Sequence, residues 1–223
     1  MSSLLMLSAI LVSLILAQPA SADSTDVEHA IAAVRMRAGK GDVVAQFSLG
    51  SLLYYGREQT AESVDWFRKA AAQRYAPAEY QLGQLYDFGF AVAQDDRAAL
   101  DWYRRAADHG SAAAHRAIGD FYQKGRGVAA DAAEAARWYR RGADGDDIRA
   151  QYQLGNLYFT GTGVSQDYAS AYLWFSLAAS QAPLEDNRKG LLELRNIAAA
   201  RMPADVLADA QRRVTAWKPS GAR

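Results

Sequence analysis

The stretch AQYQLGNLYFTGTGVSQDYASAYLWFSLAA, from Ala150 to Ala179, decides the fold, because three copies of its pattern lie upstream. Trp174 sits near its end, and Trp66, Trp102, Trp138 and Trp174 are each 36 residues apart. A fixed interval of that size, held by four of the five tryptophans, is the mark of a repeat array. Each tryptophan is followed by a second aromatic, in the pairs Trp66-Phe67, Trp102-Tyr103, Trp138-Tyr139 and Trp174-Phe175. Small residues come next, at Ala70-Ala71, Ala106-Ala107, Ala143 and Ala178-Ala179.

A second signature lies ahead of each tryptophan: Leu49-Gly50, Leu82-Gly83, Ile118-Gly119 and Leu154-Gly155, with alanines four residues earlier at Ala45, Ala78, Ala114 and Ala150. Further glycines follow at Gly56, Gly89, Gly125 and Gly161. Ala78, Leu82, Leu85 and Tyr86 share one helical face, as do Ala99, Trp102, Tyr103 and Ala106, so each unit reads as helix, turn, helix. The later glycines fall where the first helix must end. Asp95 or Asp96, Asp131 and Asp167 are expected to cap the second helix, Asp131 with Glu134 at capping-box spacing. Glycine inside a helix costs about 1 kcal/mol against alanine, so Gly50, Gly83, Gly119 and Gly155 are expected to serve close helix packing. In the first unit Gly56-Arg57-Glu58-Gln59-Thr60 is a loop shortened by three residues.

These residues, Ala-x-x-x-Leu-Gly-x-Leu-Tyr-x-x-Gly-x-Gly-Val-x-x-Asp and then Ala-x-x-Trp-Tyr-x-x-Ala-Ala, resemble the Sel-one-like repeat (SLR) family, a relative of the tetratricopeptide repeat. The resemblance covers Ala45 to Ala182. It implies an all-α, right-handed α-solenoid, a superhelix of tandem helix-turn-helix repeats, whose inner surface holds a partner protein or peptide. The expected organisation is a signal peptide over 1–22, an N-terminal capping helix within 23–44, four repeats at 45–77, 78–113, 114–149 and 150–182, and capping helices with a tail over 183–223. Terminal repeats need such caps, since nothing else covers their apolar faces. Thr25 to Ala38, Leu184 to Arg201 and Pro203 to Trp217 are the expected capping helices.

Leu4 to Ala17 is an apolar or small-residue run followed by Ala20-Ser21-Ala22, a small-x-small cleavage pattern, although no Lys or Arg precedes it. The run falls short of the roughly 20 residues of a membrane span. Export to the periplasm or beyond is the expectation, with membrane contact only through the transient leader. The chain has no cysteine, which removes disulfides, thiolate sites and lipoprotein acylation. It also weakens transfer from a cysteine-rich branch of the family described as penicillin-binding or β-lactamase-like. Twenty-five basic residues balance twenty-five acidic ones, so net charge points to no nucleic acid.

No chemistry stands out. His29, His109 and His115 lack ligand spacing, Asp144-Gly145-Asp146-Asp147 lacks the calcium-loop pattern, and no serine lies in a nucleophile motif. No cofactor, metal or catalytic residue is expected. The pairs Arg68-Lys69, Arg104-Arg105 and Arg140-Arg141 recur with the repeat, and Asp65 to Lys69 and Asp101 to Arg105 have i to i+4 ion-pair spacing.

If first helices line the concave face, as the resemblance implies, register selects Tyr80, Gln84, Asp87 and Phe88; then Arg116, Asp120, Gln123 and Lys124; then Tyr152, Asn156, Phe159 and Thr160. That mixture of aromatics and amides suits a peptide or protein loop. The function expected is an interaction scaffold. Alternatives are a periplasmic regulator of a membrane sensor or envelope assembly, and a cell-wall or glycan-directed enzyme.

Overall fold

The structure, a computed structural model, describes residues 24–56 and 61–219. Among these residues there are eleven helices and no strand. They form an α-solenoid of tandem helix pairs, and the chain divides into two compact units between His109 and Gly110. The expected leader peptide and the shortened Arg57–Thr60 loop lie outside the described residues.

The first unit holds α1 (Ser24–Gly39), α2 (Val43–Tyr55), α3 (Ala61–Ala72), α4 (Ala76–Phe88) and α5 (Asp96–Asp108). Each helix packs on the next. The second unit holds α6 (Ala112–Lys124), α7 (Ala132–Asp144), α8 (Ile148–Thr160), α9 (Tyr168–Gln181), α10 (Glu185–Ala199) and α11 (Ala204–Ala216). Here too neighbours pack in order from α6 to α10, while α11 returns to α9 and α6 touches α8.

Helix starts follow from aspartate and serine side chains that accept otherwise orphaned backbone amides. Asp95, not Asp96, caps α5, taking the amides of Arg97 and Ala98; Asp131 caps α7 through Glu134 N, and Asp167 caps α9 through Ala169 N and Ser170 N. Three of the four first helices are capped as well, by Asp42, Ser111 and Asp147, while α4 starts after Tyr75 with no side-chain cap and Pro77 in its first turn. Asp147 thus has a helix-starting role within the acidic turn 144–147. At the far ends, Gly125 and Gly161 take φ of 68° and 74°, a left-handed conformation that lets the last amides turn back onto Phe121 and Leu157 carbonyls. Gly56 ends α2 differently, at φ −75°.

Inside each pair the mid-helix glycine faces the second aromatic of the other helix. A Cβ built on Gly50 would stand 2.9 Å from Phe67, on Gly83 2.5 Å from Tyr103, and on Gly119 and Gly155 2.7 Å from Tyr139 and Phe175. Those rings, together with Leu49, Leu82, Ile118 and Leu154, are fully buried and make the core. The tryptophans behave otherwise: Trp174 is 1% exposed, but Trp66, Trp102 and Trp138 are only half-buried.

The ends are covered. Val34 and Ala38 of α1 join Ala45 and Leu49 in one cluster. At the other end Leu191 and Ala198 of α10 and Ala210 of α11 pack on Ala171, Phe175 and Ala178. Trp217, just past α11, meets Trp174 edge-on at 6.2 Å and 80°.

Candidate partner-binding surface

The register positions selected on the first helices divide between the two units. On α4, Tyr80 leans on Tyr103 with ring centroids 5.5 Å apart, and the Gln84 amide donates to the Tyr80 hydroxyl at 3.5 Å. Asp87 lies below the surface, accepting the Tyr103 hydroxyl at 3.0 Å. Burial takes it out of reach of a ligand and makes it a support for the ring over Gly83. Phe88, by contrast, is 58% exposed and pairs with Phe90 at 5.8 Å.

In the second unit α6 and α8 lie side by side. Arg116 donates to Asp120 at 2.9 Å and lies 3.6 Å from Asp147. The Tyr139 hydroxyl donates to Asp120 at 2.6 Å and is 2.8 Å from Gln123 Oε1. Burial, with the Asp120 carboxylate beside it, raises the Tyr139 pKa, so the phenol stays protonated and keeps donating. Lys124 is exposed, Asn156 is half-buried, and Tyr152 is 39% exposed with its ring 6.4 Å from Phe175. Phe159 packs edge-on against Tyr168 at 5.4 Å, and Thr160 returns its hydroxyl to the Asn156 carbonyl at 2.9 Å.

Sequence periodicity does not reveal the groove beside Tyr152, because non-repeat residues complete it. Ile148 and Tyr152 of α8, Leu184 in the turn after α9, and Leu191 and Leu194 of α10 enclose about 650 Å³. Leu184 is 62% exposed on its rim.

The basic pairs are placed differently from the expected i to i+4 ion pairs. Asp65 bonds Arg68 at 3.2 Å and Asp101 bonds Arg104 at 3.4 Å, both at i to i+3. Lys69, Arg105 and Arg141 instead stack on the tryptophan three residues earlier, 3.8, 4.7 and 4.6 Å from the ring centres. A cation over an indole face gains from the ring quadrupole while covering its apolar surface.

Two of the three histidines make structural contacts. His109 sits with Nδ1 2.6 Å from the buried Glu79 carboxylate and accepts the Arg74 Nε hydrogen at Nε2, 2.9 Å away. His115 lies against Trp138 at 5.7 Å. Among the described residues no three His, Cys, Asp or Glu side chains gather as metal ligands, and no helix is long and apolar enough to cross a membrane.

The family model described as the Sel1 repeat matches four consecutive segments, residues 43–75, 76–111, 112–147 and 148–183. These segments begin where α2, α4, α6 and α8 begin, two residues ahead of the motif alanines. No curated protein matches the chain. Among solved structures, a Sel1 repeat protein from Oxalobacter formigenes is similar at 31% identity and a TM-score of 0.65, over 75% of this chain and 49% of that one. A protective antigen present in uropathogenic Escherichia coli strains, displaying an SLR fold, is similar at 25% identity and a TM-score of 0.52, over 97% of this chain and 57% of that one. The chain therefore spans about half the length of these two structures.

Proposed function

This chain belongs to the Sel1 repeat family, whose members generally mediate protein–protein interaction, and from that premise we propose that it is an exported scaffold holding a partner protein or peptide on the first-helix faces of its repeats. The observation that carries the reading is the α6–α8 face of the second unit. α8 presents an exposed ring (Tyr152) and an amide (Asn156), and α6 presents a lysine (Lys124) and an ion pair (Arg116–Asp120) that holds its own geometry. Aromatic anchors flanked by polar groups on a rigid frame lose little entropy on binding, which favours recognition of a protein surface. Export rests on the Leu4–Ala17 run and the Ala20-Ser21-Ala22 site; a mature amino terminus at Asp23, read by mass spectrometry of the envelope fraction, is the expected outcome.

The test is capture of a partner from envelope extract by the mature protein and by a variant carrying Tyr152→Ala, Asn156→Ala and Phe159→Ala. A protein retained by the parent and lost by a variant of unchanged circular dichroism supports the reading. Equal retention by both sinks it.

A further inference from the structure

The third repeat departs from its neighbours at one surface position. Residues 65, 101 and 137 are equivalent by the interval of 36, and they read Asp, Asp, Arg. In the first two repeats the aspartate neutralises the arginine three residues on. With Arg137 in its place Arg140 loses that partner, and the local charge rises by two. Arg137, Arg140 and Arg141 then line a pocket of about 480 Å³ between α7, α8 and the loop at Gly163 and Val164, floored by Leu154 and Tyr158. Gly163 brings that wall in: a Cβ there would fall on the Ala132 carbonyl.

Two of the three guanidinium groups, those of Arg140 and Arg141, are held by rings rather than by acids. Arg140 lies 5.0 Å from the Trp174 ring centre and donates one hydrogen bond, to the Tyr158 hydroxyl at 2.7 Å. Arg141 lies over Trp138. Among the described residues neither has a carboxylate within 4.0 Å, although Asp144 acts on Arg140 from farther away. Arg137 alone is paired, with Glu134 at 2.9 Å, and that pair is solvent-exposed on the arginine side. A guanidinium stacked on a ring keeps its edge hydrogens free in the ring-parallel plane, pre-set for the two oxygens of a carboxylate.

We propose that the third repeat binds an acidic peptide segment of a partner protein in the pocket formed by Arg137, Arg140 and Arg141. The proposal rests on the scaffold reading in taking the occupant to be a protein, and the apolar floor suits a segment that carries leucine or valine between its carboxylates. The site lies apart from Tyr152, Asn156 and Phe159, so the two can fail separately.

The probe is a fluorescein-labelled peptide alternating glutamate with leucine, followed by anisotropy on the full chain, with a glutamine-for-glutamate peptide and a sulfated oligosaccharide as competitors. Arg137→Asp restores the residue of the first two repeats and is expected to weaken binding at least about tenfold with an unchanged melting temperature. Arg141→Gln weakens it further, Arg212→Asp on α11 does not, and salt weakens it in the parent. The Tyr152, Asn156 and Phe159 alanine variant keeps full affinity for the probe. Equal affinity of parent and Arg137→Asp, equal affinity for the glutamine peptide, or binding of the oligosaccharide without the peptide overturns the proposal.

Discussion

Tyr103 packs so closely on Gly83 that a Cβ on the glycine would stand 2.5 Å from two ring carbons. Gly190, in the middle of α10, has nothing within 4 Å of its Cβ position. The same substitution must therefore act in opposite directions. Gly190→Ala gains helix propensity and is expected to stabilise the fold by up to about 1 kcal/mol. Gly83→Ala gains the same propensity but forces α4 and α5 apart, with a net loss of about 1–2 kcal/mol from overpacking. Urea denaturation of the two variants is the measurement, and a stabilising Gly83→Ala would show that the helix pair separates freely.

Tyr139 and Trp138 test which aromatic of each pair holds the repeat. Tyr139→Ala empties a fully buried site and is expected to cost about 3–5 kcal/mol. Trp138→Ala removes a half-buried ring that already leaves its indole nitrogen without an acceptor among the described residues, so its cost is the smaller of the two. A larger loss for Trp138 in chemical denaturation reverses this assignment.

Tyr139→Phe isolates the hydroxyl. It leaves Asp120 without its 2.6 Å donor in a half-buried setting, at an expected cost of about 1–2 kcal/mol. Phe175, which fills the same place in the fourth repeat, has no hydroxyl, so Phe175→Tyr is expected to bring no comparable gain. Melting curves of the pair decide it.

Asp42 and Asp147 occupy equivalent caps and are predicted to answer pH with opposite signs. The Ala45 amide and the Arg37 guanidinium hold the Asp42 pKa below 3.8. Its contribution is present above that value and is lost as pH falls through the lower folded pKa. Burial raises the Asp147 pKa against the pull of the Ala150 amide and Arg116. Its charged form therefore carries a penalty that is present above the folded pKa and fades as pH falls toward 3.8. Asparagine keeps either cap without titrating. Thermal melts from neutral pH to below 3.8 should show Asp42→Asn flattening the acid loss and Asp147→Asn steepening it.

The period of 36 made the helix pairs, their caps and the four glycines legible in the sequence, because each of these recurs at a fixed offset. It does not say which of two adjacent aromatics faces inward. Trp138 and Tyr139 differ by one helical step, about 100° of rotation, and both fit an apolar stripe that wide. Nor does spacing choose between Asp65 pairing with Arg68 or with Lys69; the lysine goes to Trp66 because covering an indole is worth more there than an exposed ion pair. Among the candidate site residues, Asp87 follows the register yet is buried, since Tyr103 needs its carboxylate. The groove beside Tyr152 was out of reach because α10, which closes it, lies outside the repeat.

The lock between glycine and ring is closed within a single helix pair: Gly119 and Tyr139 need nothing from the pairs on either side to meet. A unit of this kind can be copied whole, in frame, and fit its own halves together wherever it lands. Its outward positions are not bound by that fit, and residues 65, 101 and 137, one per copy, read Asp, Asp and Arg while the glycine and the ring beneath them stay in place.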